Sequence, residues 1–176
     1  MLIRIARDDD WQPCLGIDLA YETDSAWQMS ERQEGGEWHT SFREIRLPRT
    51  LRIQPTDPDD NRLKSWQNRD QFWVAIEHRE VVGFLGLNVD QARHQARITD
   101  LGVAPEFRRQ GVATSLLARA TEWCLRQRIH QLVIVCPLKA SPAIGFATKH
   151  GFTFCGFQDA YWPGQEVGLF FRQRLR

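Results

Sequence analysis

The chain has 176 residues, 42% of them hydrophobic and 26% charged, which suits one soluble globular domain, 1–176, with room for its own core. With 23 Lys and Arg against 22 Asp and Glu the net charge is +1, so no bulk field draws the molecule to nucleic acid or to a membrane surface. No apolar run could span a bilayer, Met1-Leu2-Ile3-Arg4 does not open a signal peptide, and Cys14, Cys124, Cys136 and Cys155 form no CxxC pair, so a cytoplasmic protein with reduced thiols is expected.

Residues 2–6 read as a first strand, and Asp8 to Asp10 offer caps for a helix over 11–21, with Pro13 tolerated in its first turn. Between 24 and 54, Trp27 and Met29 alternate with polar neighbours, Gly35-Gly36 can turn the chain, and Trp38, Thr40 and Phe42 alternate again. This predicts a β-hairpin insertion. The change of parity from Phe42 to Ile45 and Leu47 predicts a bulge or bend there. A Pro/Asp loop over 54–60 precedes a short polar helix within 61–70.

From residue 72 the pattern sharpens. Phe72, Val74 and Ile76 alternate, His78-Arg79-Glu80 makes a tight connection, and 81–89 forms the next strand with Gly83 and Gly86 inside it. A polar turn over 91–95 leads to a strand over 96–103, closed by Pro105, which completes an antiparallel meander. Val112, Leu116, Leu117, Ala120 and Cys124 then fall on one helical face. A strand over 132–136, a helix over 141–150, a strand over 152–157, a turn over 158–164 and a strand over 166–172 follow. The order predicts an α/β (α+β) mixed sheet flanked by helices, without repeats or linkers.

The chemistry concentrates in Asp100-Leu101-Gly102-Val103-Ala104-Pro105-Glu106-Phe107-Arg108-Arg109-Gln110-Gly111-Val112-Ala113-Thr114. A strand ends at Val103, a basic loop follows, and a helix opens near Gly111. Unpaired N–H groups and the dipole at a helix start favour an anion, and Gly111 and Ala113 leave the backbone accessible. Arg108 and Arg109 add cationic donors. The pattern points to a pyrophosphate, although a solvated helix cap can look the same. Neither a Gly-Lys-Ser/Thr P-loop nor a Gly-x-Gly-x-x-Gly fingerprint is present.

Arg108-x-x-Gly111-x-Ala113 resembles the Gln/Arg-x-x-Gly-x-Gly/Ala signature of the GNAT superfamily of N-acetyltransferases. The run from Ala143 through Phe146, Ala147 and Lys149 to Gly151-Phe152 resembles that family's second motif. The resemblance implies a central, mostly antiparallel sheet splayed between strands four and five, with a cofactor-binding core over 72–157. It implies acetyl-CoA as cosubstrate, its pantetheine arm against the backbone of Leu101 and Val103. Its pyrophosphate would lie on Arg108, Arg109, Gln110, Gly111, Val112, Ala113 and Thr114. The ending from Gly156 to Phe171 resembles the streptothricin-acetyltransferase-like branch, which acetylates an amino group on a small cationic antibiotic.

Two positions depart from the second motif: Ala140 where the family often has Asn, and Ala147 where it often has a Tyr that protonates the leaving thiolate. Tyr161 is the candidate replacement acid, against the alternative that it and Trp162 cover the core. Asp100 faces opposite to Leu101 and Val103. It would bind a cationic acceptor or relay its proton, or else serve a structural role. Arg97 stands where histone-type relatives place a Glu, which argues against a protein-tail substrate.

The acceptor is expected between the first helices and the later loops. There Trp27, Met29, Trp38 and Phe42 would form an aromatic wall, with Glu22, Asp24, Glu31 and Glu44 drawing in an amine. The hairpin would otherwise pack over the sheet or pair two subunits in a homodimer. The five histidines have no ligand spacing, so no catalytic metal is expected. The implied activity is transfer of an acetyl group to a small-molecule or peptide primary amine, by direct attack in a ternary complex. The alternative is a non-catalytic acyl-CoA-binding regulatory module.

Overall fold

The structure, a computed structural model, describes residues 1–54, 59–162, 164 and 166–176. It divides into two compact units. The first comprises Met1–Leu19, Gln54–Ile134 and Arg172–Arg176, and the second Ala20–Ile53 and Val135–Phe171.

The first unit opens with β1 (Leu2–Ile5), a 3-10 turn at Asp8–Asp10, and α1 (Trp11–Leu15). The helix expected over 11–21 stops six residues early. The Gly16 N–H closes on the Gln12 carbonyl at 3.0 Å, and from Tyr21 the chain is extended. Asp10 fixes this corner: its carboxylate accepts from both Arg4 guanidinium nitrogens, at 2.5 and 2.9 Å, and from the Arg7 N–H at 2.7 Å. Helix α2 (Asp59–Gln67) follows the Pro/Asp loop, whose residues 55–58 lie outside the described residues.

The meander is β4 (Gln71–Glu77), β5 (Glu80–Asp90) and β6 (Gln95–Val103). Strand β4 pairs antiparallel with β1 and β5, and β5 pairs antiparallel with β6. Phe72, Trp73, Val74 and Ala75 are all buried, because β4 lies inside the sheet and is covered on both faces. His78 and Arg79 take φ of 49° and 70°, as a two-residue turn between twisted strands requires. Helix α3 (Val112–Arg126) buries Val112, Leu116, Leu117, Ala120 and Cys124, the face read from the sequence. Strand β7 (Gln131–Pro137) then runs parallel to β6, and residues 131–134 pair with 95–98. Trp66, Phe72, Val74, Phe84 and Cys14 form the core under α1 and α2.

The second unit holds the hairpin β2 (Tyr21–Glu34) and β3 (Glu37–Ile53), paired in register from Glu34↔Glu37 back to Ser25↔Arg46. The predicted bulge is real but lies later. No register shift falls between Phe42 and Ile45, whereas residues 47–50 of β3 lie between the pairs Ser25↔Arg46 and Thr23↔Leu51. Pro48 sits in that segment and cannot donate to a ladder, so the break falls there. Helix α4 (Ser141–Lys149), β8 (Thr153–Trp162) and β9 (Glu166–Arg174) complete the chain. Strand β9 neighbours β7, and β8 is the edge strand beyond it. The turn expected over 158–164 is largely strand, since β8 reaches Trp162. An edge strand exposed on both faces shows no alternation, so Gln158 and Asp159 look like turn residues. Pro163 and Gln165 lie outside the described residues.

Candidate active site

Strand β6 runs straight into the anion loop. The Ala104 N–H donates to the Val82 carbonyl of β5 at 2.9 Å. Main-chain polar groups alternate sides along a strand, so Gly102 also faces β5 while Leu101 and Val103 turn theirs to the opposite edge. The ladder to β7 is limited to residues 95–98, so among the described residues no strand partner covers that edge at 101–103. On it, the Val103 carbonyl accepts from Arg108 Nε at 2.9 Å. Arg108 also donates from a terminal nitrogen to the Asp18 carbonyl. This guanidinium therefore staples the loop to the end of β6 and to the segment after α1.

Arg109 differs from its neighbour. It is exposed, takes φ 64°, and among the described residues its side chain has no partner. Gly111 caps α3 with φ 87° and ψ 0°, and no side chain caps the helix. The N–H groups of Gly111, Val112 and Ala113 make none of the main-chain bonds formed by the described turns and caps, while Ser115 closes on the Gly111 carbonyl at 2.9 Å. A Cβ built on Gly111 meets nothing within 4 Å. Unfilled donors, a positive helix end, an exposed arginine and open space suit a diphosphate. Gln110 anchors its own side chain to the Glu106 carbonyl at 2.6 Å, and Thr114 lies in the first turn of α3.

Asp100 is heavily engaged. Its Oδ1 accepts from the Trp66 indole N–H at 2.8 Å and its Oδ2 from Arg69 Nε at 2.8 Å. A Cβ at Gly86 would stand 3.0 Å from Oδ2, so the bare glycine lets the carboxylate sit over β5. Trp66 and Arg69, 34 and 31 residues away in the chain, could not be paired with Asp100 from the sequence.

Tyr161 belongs to the second unit. It lies on β8, packs edge-on to Trp162 and Phe170, and covers Gly168, where an added Cβ would approach its ring to 2.9 Å. Ala147 is fully buried in α4 and Ala140 is 4% exposed, so both departures from the family motif are packing positions. Tyr21 is the chain's other tyrosine. Burial, with Glu166 and Cys136 nearby, pushes its phenol up to about 12, so it holds its proton throughout the physiological range. No local motif marks it; only burial does.

The hairpin serves packing as well as display. Trp27 and Met29 share a face with Glu44 and Phe42, their direct cross-strand partners. Phe42 meets Phe154 and Phe157 of β8 at ring-centroid distances of 5.4 and 5.2 Å, whereas Trp38 is 81% exposed near the tip. Glu44 accepts from the Ser25 hydroxyl at 2.9 Å, and the Trp27 N–H reaches the Leu138 carbonyl at 2.8 Å.

A mixed sheet with a bare strand edge leading to an unfilled helix start has the geometry to hold an extended arm that ends in a phosphate. The chain belongs to the acetyltransferase (GNAT) family, whose model matches residues 38–152, and is thus an acetyltransferase using acetyl-CoA. Streptothricin acetyltransferase of Streptomyces lavendulae is 23% identical over 166 residues, covering 92% of this chain and 86% of that protein. Nourseothricin acetyltransferase superposes with a TM-score of 0.85 at 22% identity, over 99% of this chain and 98% of that one. A Bacillus anthracis str. Ames protein described as a streptothricin acetyltransferase, solved with acetyl coenzyme A, gives a TM-score of 0.76 at 19% identity, over 98% of each chain. These relatives agree with the branch suggested by the ending at residues 156–171. Among the described residues, no helix is long and apolar enough to cross a membrane.

Proposed function

We propose that the enzyme acetylates a primary amine on a small molecule by direct attack within a ternary complex. The observation that carries this reading is the unfilled start of α3, continuous with the outward edge of β6. In the proposed complex, acetyl-CoA lays its pyrophosphate on the N–H groups of Gly111, Val112 and Ala113, assisted by Arg109. Its pantetheine arm runs back along Val103 and Leu101 toward the start of β6. Arg108 holds the loop in shape rather than gripping phosphate. Arg97, where a protein-reading relative would have a Glu, and the antibiotic named in the Streptomyces relative both favour a small acceptor.

In the reaction, the neutral amine forms a C–N bond to the thioester carbonyl carbon, the C–S bond breaks, and the amine nitrogen releases a proton to solvent water. The leaving thiolate takes up a proton. An amine of lysine type is mostly protonated at neutral pH, so it must lose a proton before attack. Asp100 acts chiefly as a positioning residue, because both its oxygens already accept from protein donors. Tyr161 is the proposed proton donor to the thiolate. Pairing of two copies through the exposed hairpin tip belongs to the same reading and is measured by sedimentation.

The test is release of coenzyme A thiol with a panel of amines, with the N-acetyl product identified by mass. Turnover of a small amine that Tyr161→Phe slows by about 10²-fold or more supports the reading. Tight acetyl-CoA binding without acetylation of any amine would instead favour the acyl-CoA-binding module.

A further inference from the structure

Two histidines of the first unit face each other at the end of the sheet away from the donor loop. His94 ends the turn between β5 and β6 with φ 47°, and His130 stands directly before β7. Their main chains are joined, because the His130 N–H donates to the His94 carbonyl at 2.9 Å. The His130 carbonyl in turn accepts from the Leu175 N–H at 2.9 Å. The next residues, Gln95 and Gln131, open the parallel ladder of β6 and β7. The sheet therefore fixes both backbones.

Both side chains are exposed, and their ring centroids lie 5.6 Å apart with 41° between the planes. Among the described residues, neither imidazole makes a hydrogen bond or an ion pair with the protein. A neutral imidazole gives a lone pair to a metal at about 2.0–2.1 Å, which places its ring centre about 3.2 Å from the ion. Two rings sharing a tetrahedral ion then have centroids about 5.2 Å apart, and a cis pair on a square-planar ion about 4.5 Å. The observed spacing lies nearer the tetrahedral value. The ring torsion of His is soft, so the nitrogens can turn toward a shared ion at little cost.

The surrounding charges set the strength. Arg93 is paired with Asp90 at 2.6 Å, whereas Arg128, Arg174 and Arg176 are exposed near the pair in the chain and oppose a cation. Water and salt screen their fields. Among the described residues no third His, Cys, Asp or Glu joins the pair, so water would complete the shell. Affinity should therefore fall far short of a closed four-ligand site.

We propose that His94 and His130 form a two-histidine clip for a divalent transition ion, zinc by its geometry, which pins the β5–β6 turn to the start of β7. The clip does not depend on acetyl transfer, so either reading can fail without the other. The test is zinc titration of the full chain at about pH 7.5, without coenzyme A, whose thiol would compete for the metal. Calorimetry gives the affinity, and the imidazole proton resonances of the five histidines give the site. His94 and His130 should shift together at one zinc per chain, with a dissociation constant on the order of tens of micromolar.

His94→Gln and His130→Gln should each weaken zinc about tenfold or more, since one imidazole cannot chelate. Both should melt like the natural protein without zinc, because neither ring bonds to the protein. Saturating zinc should raise the melting temperature of the natural protein by several degrees and leave both variants unmoved. His39→Gln, which removes a ring 3.1 Å from Glu37, should leave zinc binding unchanged. No zinc binding, shifts confined to other histidines or to one ring of the pair, or binding that survives both substitutions overturns the proposal.

Discussion

Replacing Asp100 separates anchoring from catalysis. In Asp100→Ala the Trp66 indole, 2% exposed, and the Arg69 guanidinium lose their acceptor together. A buried donor left unmet costs about 1–3 kcal/mol, and the partly exposed Arg69 recovers some of its share from water. The total is about 2–4 kcal/mol, or a fall in melting temperature of roughly 5–15 °C for a chain of this size. Trp66 also stacks against Phe72 and Phe84, at 5.4 and 4.7 Å, so the loosening should spread into the core beneath α2. Asp100→Asn keeps one carbonyl acceptor and should cost less. The assay pairs thermal melts with steady-state acetylation across pH, run below each variant's melting temperature. Anchoring predicts that folded Asp100→Asn stays within about tenfold of the natural rate with an unchanged pH profile. A folded Asp100→Asn that loses more than about 10²-fold and the acidic limb of its profile would refute the assignment and make Asp100 a proton relay.

Three further outcomes follow from the same geometry. Arg108→Ala removes bonds to the Val103 and Asp18 carbonyls and should lower the melting temperature by several degrees, about 2–4 °C per kcal/mol. Arg109→Ala should leave the melt unchanged and weaken acetyl-CoA about three- to tenfold, with the difference shrinking at high salt. Identical melts for the two variants would contradict the division of roles. Asp10 is held below its usual carboxylate range, chiefly by its bonds to Arg4, so its contribution is full above about pH 4 and disappears as pH falls through its lowered native value. Asp10→Asn should flatten the acid limb of the stability curve, and an unchanged limb would count against the linkage. Burial pushes Cys14, Cys124 and Cys136 up to about 12, while Cys155 is exposed, so a thiol reagent should label one cysteine in the folded protein and four after denaturation.

Local signals in the sequence were sufficient wherever one element carried them. Helix α3 was legible because Val112, Leu116, Leu117, Ala120 and Cys124 repeat at helical spacing and all face the core. The loop before α3 was legible as a strand end running into a helix start because those signals are contiguous in the sequence. Features set by distant partners were not. The early end of α1, the bulge at residues 47–50 and the long edge strand β8 depend on caps, missing donors and exposure that periodicity does not encode. The bonds from Trp66 and Arg69 to Asp100 bridge more than thirty residues, and the bulge at Thr99 requires the register of β5 against β6. The two arginines of the loop looked equivalent in sequence and divide into a staple and an exposed cation only once the chain is folded.

The central claim is that the start of α3 receives the pyrophosphate of acetyl-CoA. Calorimetry of acetyl-CoA against the natural protein and Gly111→Trp tests it most directly. Nothing lies within 4 Å of a Cβ at 111, so a side chain there meets no clash, although φ 87° strains any residue with a Cβ, and it would occupy the approach to the N–H groups. The account predicts a dissociation constant on the order of micromolar for the natural protein and a loss of at least about a hundredfold in a Gly111→Trp protein that still melts cooperatively. Unaltered binding in that variant, or no binding by the natural protein, would contradict the account.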